Sequence, residues 1–219
     1  MNIIPAILPH NFEEIIEKCA RVEGLVINVQ VDVCDGVFGR EKTWMPTGME
    51  VLPGGFSYEF DLMIDDWKLY TLHCLTLGAK SIVSHVDMFV DGDMETLIGM
   101  VAPHSAHLGI AVSNDKSLDF HAEMIRKAQS LYPHVFIQVM GIKNIGEQSQ
   151  LFDEETPGRI KALKQQFGEI MIQVDGGMTL DTAKLVKDAG AENIVTGSFI
   201  FGRDDAGSSL EELNRAVNE

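Results

Sequence analysis

The 219-residue sequence has no apolar run long enough to span a bilayer and no secretory-type leader. Its three cysteines, Cys19, Cys34 and Cys74, are odd in number and lack metal-type spacing. A reduced, soluble, cytoplasmic protein with no membrane partner is the expectation. Bases are also scarce: 17 Lys and Arg stand against 33 Asp and Glu, a formal net charge of −16 spread along the chain. Such a surface repels nucleic acid and anionic lipid, which excludes both as partners. It repels a phosphorylated metabolite at long range as well, so a phosphate site must act locally through backbone amides and helix ends. There is no linker or low-complexity segment.

What is present is an apolar content of 45%, enough for a sizeable core in one domain over residues 1–219. Strand patterns at Asn2–Leu8, Gly24–Gly36, Ser57–Ile64, Ala79–Val86, His107–Ser113, Val135–Met140, Ile170–Asp175 and Asn193–Thr196 alternate with helical periodicity. Asn11 with Glu14, and Ser209 with Glu212, read as helix starts, and Gly190 as a helix stop. Cys19 falls on a core-facing helical position. The alternation selects an α/β fold, a closed parallel (β/α)8 TIM barrel, over a doubly wound sheet.

The chemistry gathers at strand ends. Gln173-Val-Asp-Gly-Gly177 ends an apolar run at a lone carboxylate, Asp175, and opens a helix through two glycines; Ile194-Val-Thr-Gly-Ser198 repeats the form. Two such units near the C-terminus suit a phosphate cup built after strands seven and eight. Gln30, Asp32 and Cys34 share one strand parity, as do Glu59, Asp61 and Met63. The polar segment Gly141–Gln150 is too long for a minimal connection and is a candidate lid.

The residues Pro5–Leu8, Val31–Gly36, Asp61–Ile64, Val139-Met140, Val174–Gly177 and Thr196–Phe201, in that order and spacing, resemble the ribulose-phosphate 3-epimerase family over essentially the whole chain. The resemblance implies an isomerase that epimerises a ketose phosphate, a homo-oligomer, and two aspartates moving a proton at C3 through an enediolate. By position these aspartates are Asp32 and Asp175. The family's divalent metal is held by His and Asp of strand two, His of strand three and Asp of strand seven, which are here Gln30, Asp32, Asp61 and Asp175. Three family methionines match Cys34, Met63 and Met140. Phosphate-cup positions match Gly176, Gly177, Gly197 and Ser198. Of the family's flexible loop, reduced to 144–148, Gly146 and Gln148 still match, and the first-strand serine is Ala6.

The replaced histidines leave an all-oxygen quartet with three potential negative charges. Oxygen sets suit Mg²⁺ or Mn²⁺ ahead of Zn²⁺ or Fe²⁺. With no metal, one acid must stay neutral at pH 7. The alternative to an epimerase is a sugar-phosphate-binding barrel or a lyase with altered chemistry. His85 matches a position where the family often carries histidine, its facing left open by parity. Lys143 and Arg203 are candidates for approach to a substrate, against solvated or surface-paired roles.

Overall fold

All eight apolar runs are strands. The computed structural model describes residues 1–114, 116–143, 145–146 and 150–219. In it β1 (Asn2–Ile7), β2 (Asn28–Cys34), β3 (Ser57–Met63), β4 (Ser81–His85), β5 (His107–Val112), β6 (Val135–Met140), β7 (Ile172–Asp175) and β8 (Asn193–Thr196) pair in parallel, and β8 closes on β1. Around them run α1 (Phe12–Val22), α2 (Trp67–Thr76), α3 (Asp93–Val101), α4 (Leu118–Leu131), α5 (Thr156–Phe167), α6 (Leu180–Ala189), the single turn α7 (Ser198–Phe201) and α8 (Ala206–Asn218). Among the described residues no helix is long and apolar enough to cross a membrane.

Strand β2 shows how the sequence builds both layers. Val29, Val31 and Val33 point outward into the strand–helix core and are fully buried. Each such side chain contributes about 1.5–3 kcal/mol relative to exposure. The intervening Gln30, Asp32 and Cys34 therefore face the barrel interior, where period-two geometry leaves them no alternative. Asp32 and Asp61 are register partners on β2 and β3, so the two carboxyls stand side by side.

Two local expectations differ. Helix α8 starts at Ala206, one turn before Ser209: Asp205 is the N-cap, its carboxylate accepting from Ser208 N at 3.0 Å, while the Ser209 hydroxyl bonds back to the Asp205 carbonyl. An aspartate caps as well as a serine, and the earlier signal wins. The strand–helix alternation is also broken once, because residues 35–56 cross from β2 to β3 without a helix. Asp35 secures that crossing, accepting from Val37 N and Phe38 N with one oxygen and from Asp65 N with the other. The Asn11 cap holds as expected, but Glu14 reaches back to His10 N rather than to Asn11.

Candidate active site

The C-terminal ends of β2, β3 and β7 bring Asp32, Asp61 and Asp175 together across the barrel mouth. One oxygen from each lies within 4.8 Å of the others, and all three side chains are buried. Their charges are managed by nitrogen donors. Gln30 Nε2 donates to Asp32 Oδ1 at 2.8 Å and to Asp175 Oδ2 at 3.1 Å. Gln138 Nε2 donates to Asp61 Oδ2 at 2.8 Å and lies 3.5 Å from Asp175 Oδ2. His85 faces inward, with Nε2 2.9 Å from Asp61 Oδ1. Burial would lower its pKa, but the Asp61 carboxyl, by charge and hydrogen bond, holds the imidazole above its usual value.

Asp32 and Asp175 line a cavity of about 60 Å³ together with Met63, Met140, Gly146, Gly176, Gly177, Gly197 and Ser198. The expected acids, two of the three expected pocket sulphur residues and the whole expected phosphate wall thus share one space. Gln30, Asp61 and Cys34 do not line it. Cys34 sits behind Met63, its Sγ 3.8 Å from the methionine sulphur. Both turn glycines after β7 are left-handed, φ +94° at Gly176 and +72° at Gly177, a conformation that lets the backbone approach a bound anion closely.

The three carboxylates fit a hard divalent cation by charge, oxygen chemistry and convergence. Gln30 departs from the expectation, because it turns its nitrogen rather than its oxygen to the trio. Between two acids that would otherwise repel, an amide nitrogen satisfies an oxygen of each. Sequence reasoning also passed over Gln138 and gave Gln173 and Glu59 no role, although each precedes a recognised inward residue by two. Gln173 Nε2 lies 2.6 Å from Glu59 Oε1 and 2.8 Å from Gln138 Oε1 beneath the trio. Arg203 is placed away from the cavity, paired with Glu212 at 2.7 Å and stacked 4.2 Å over the Phe199 ring. Lys143 is exposed. The candidate lid is described only in part: Ile145 O accepts from Arg40 N and Gly146 O from Glu41 N, which draws that part down over Cys34 and Met63. Asn144, Glu147 and Gln148 lie outside the described residues.

Burial, followed by the neighbouring Asp175 and Asp61 charges, pushes the Asp32 carboxyl well above its usual range. Burial and then Asp61 push Asp175 up to about 7. Burial likewise takes Glu59 to about 7, partly opposed by the Gln173 hydrogen bond. The folded chain therefore retains protons that the unfolded chain has released from about pH 4 upward, and stability falls as pH rises through about 7. In chelator-treated protein, calorimetry is expected to give a melting temperature ~5 °C higher at about pH 5.5 than at about pH 8. Equal values at both would mean that the acids ionise freely.

Acids and left-handed glycine turns at the C-terminal mouth of a parallel eight-stranded barrel define an enzyme barrel, the face on which such folds carry their chemistry. The profile of the Ribulose-phosphate 3 epimerase family matches residues 2–201, and the chain belongs to that family, one of isomerase-type enzymes. A cytoplasmic ribulose-phosphate 3-epimerase of Oryza sativa subsp. japonica is 24% identical, covering 99% of this chain and 94% of the relative. The ribulose-phosphate 3-epimerase of Bacillus subtilis (strain 168) is 24% identical, covering 97% and 98%. Among solved structures, a 3-hexulose-6-phosphate synthase superposes with TM-score 0.69 at 18% identity, covering 99% of this chain and 100% of that one. A Streptococcus mutans KGPDC in complex with D-R5P gives 0.69 at 12%, covering 99% and 96%. At these identities the two structures speak for the fold alone.

Proposed function

We propose that this protein epimerises a phosphorylated ketose at C3, with Asp32 and Asp175 as the acid–base pair. The observation that carries the reading is the convergence of these two acids, from β2 and β7, on one cavity whose other wall is Gly176, Gly177, Gly197 and Ser198. Family membership and the ribulose-phosphate 3-epimerases among its relatives support it.

In the proposed reaction one aspartate removes the C3 proton. The C–H electron pair forms a C2–C3 double bond, and the carbonyl electrons move onto the C2 oxygen, giving an enediolate. The opposite aspartate returns a proton to the other face of C3, and the configuration inverts. A carboxyl held near neutrality, as Asp175 is, can serve in either direction at physiological pH. Asp32, Asp61 and Asp175 would hold a divalent cation, Mg²⁺ or Mn²⁺, which when bound supplies positive charge for the developing oxyanion. Met63 and Met140 give the reacting carbons an apolar wall, and Gly176, Gly177, Gly197 and Ser198 receive the phosphate through backbone N–H groups. The cavity is far below the ~300 Å³ of ordinary ligand sites, and Gly146, which lines it, is a candidate to move when a sugar phosphate enters.

The test is proton NMR of ribulose 5-phosphate in deuterated buffer with Mg²⁺, Mn²⁺, Zn²⁺ or chelator. Loss of the C3 proton signal with formation of the epimer, fastest with Mg²⁺ or Mn²⁺, is expected. Thermal stabilisation by sugar phosphates with no exchange in any metal would mark a binding barrel instead.

A further inference from the structure

Beneath the carboxylates the barrel interior holds hydrogen-bonded amides that all point the same way. Asn2 Nδ2 donates to Asn193 Oδ1 at 3.0 Å, and Asn193 Nδ2 lies 3.4 Å from Gln173 Oε1. Gln173 Nε2, with two hydrogens, donates to Glu59 Oε1 at 2.6 Å and Gln138 Oε1 at 2.8 Å and lies 3.5 Å from Gln30 Oε1. Gln30 and Gln138 thus offer their oxygens to Gln173, which leaves both Nε2 groups for Asp32, Asp61 and Asp175. An amide has a donor end and an acceptor end, and turning one link over would set N–H against N–H at the next. Gln30, Gln138 and Gln173 are all fully buried, where no solvent relieves such a clash.

We propose that Gln173 is a positioning residue that decides which end of the Gln30 and Gln138 amides faces the carboxylate trio, and thereby weakens the trio's hold on a divalent cation. With the nitrogens upward, a cation must displace hydrogen bonds that the carboxylates already accept. With the oxygens upward, the same side chains would become two further ligands. The inference rests on the trio being the cation site of the proposed epimerase, and Gln173 itself neither lines the mouth cavity nor bonds to the three aspartates.

Two substitutions separate this role from simple packing. Gln173→Met keeps the length and removes the donor, so both amides are free to turn. Gln173→Glu puts an acceptor beneath them and favours the nitrogens downward. Mn²⁺ titrated calorimetrically into the chelator-treated protein without substrate is expected to bind ~10-fold or more tightly in Gln173→Met than in the native protein, the scale of outer-shell effects on metal affinity. Gln173→Glu is expected to bind at least as tightly as Gln173→Met. A loss of packing alone would lower melting temperature and weaken Mn²⁺ binding together. Mn²⁺ affinity unchanged or weaker in the folded Gln173→Met protein overturns the proposal, and native binding would then leave the cation site standing. Binding by the variants but not by the native protein supports the proposal and removes the cation from the native reaction. Binding by none of the three overturns both. Should Gln173→Glu fail to fold, with an acid set against Glu59, the near-isosteric Gln173→Met decides alone.

Discussion

Replacing Asp175 by Asn is expected to leave a folded barrel whose turnover falls ~10³-fold, within the span attributed to a positioned acid or base. The amide is the same size and keeps an oxygen for the Gln30 Nε2 bond that Asp175 now accepts at 3.1 Å. It cannot carry the proton. KM should stay within about threefold, because the proposed phosphate wall at Gly176, Gly177, Gly197 and Ser198 is untouched, and loss confined to turnover marks an interaction made in the transition state. Asp32→Asn should be equally slow, but the two variants should differ in deuterium exchange. Each should still exchange, slowly, the C3 hydrogen of the one epimer that presents it to the surviving aspartate. Equal exchange of both epimers by a single variant would refute the division of the faces between these acids.

Gly141→Ala is expected to damage the mouth from behind. A Cβ there would lie 2.3 Å from the Gly176 carbonyl oxygen and 3.3 Å from that of Asp175, both backbone atoms that cannot swing aside. The Gly176–Gly177 peptide must shift, pulling on the adjoining Asp175 and on the turn proposed to hold phosphate. Stability should fall by ~2–3 kcal/mol, and KM for the phosphorylated substrate should rise ~10-fold along with a drop in turnover. Gly109→Ala is the matched control. Its Cβ would meet the Phe136 ring at 2.6 Å and Val83 at 2.9 Å inside the barrel. That overpacking should cost ~1–3 kcal/mol in denaturant melts with KM little changed. A Gly141→Ala protein with native KM would show that the Gly176 turn does not hold the phosphate.

Much of this was readable from residues alone because alternation is binary. Val29, Val31 and Val33 on one parity force Gln30, Asp32 and Cys34 to the other, and a closed parallel sheet turns that parity into an interior. The spacing of Asp175-Gly176-Gly177 and Gly197-Ser198 likewise placed both turns on one wall of the cavity. Parity does not say which end of an amide points where, so Gln30 read as an oxygen ligand and proved to be a nitrogen donor. Its oxygen instead faces Gln173 Nε2, 143 positions away in the chain, and no local pattern carries that contact. The start of α8 was misplaced for a simpler reason: Asp205 and Ser209 are both competent caps, and only the packed helix shows which is used.

The Asn2–Asn193 bond joins the first strand to the last, at the seam where the barrel shuts, and the amide relay beneath the carboxylates runs on from it. Closing the ring and completing the relay are thus one event: without the eighth strand Gln173 can still donate to Glu59, but the Asn193 amide that donates to its oxygen is missing.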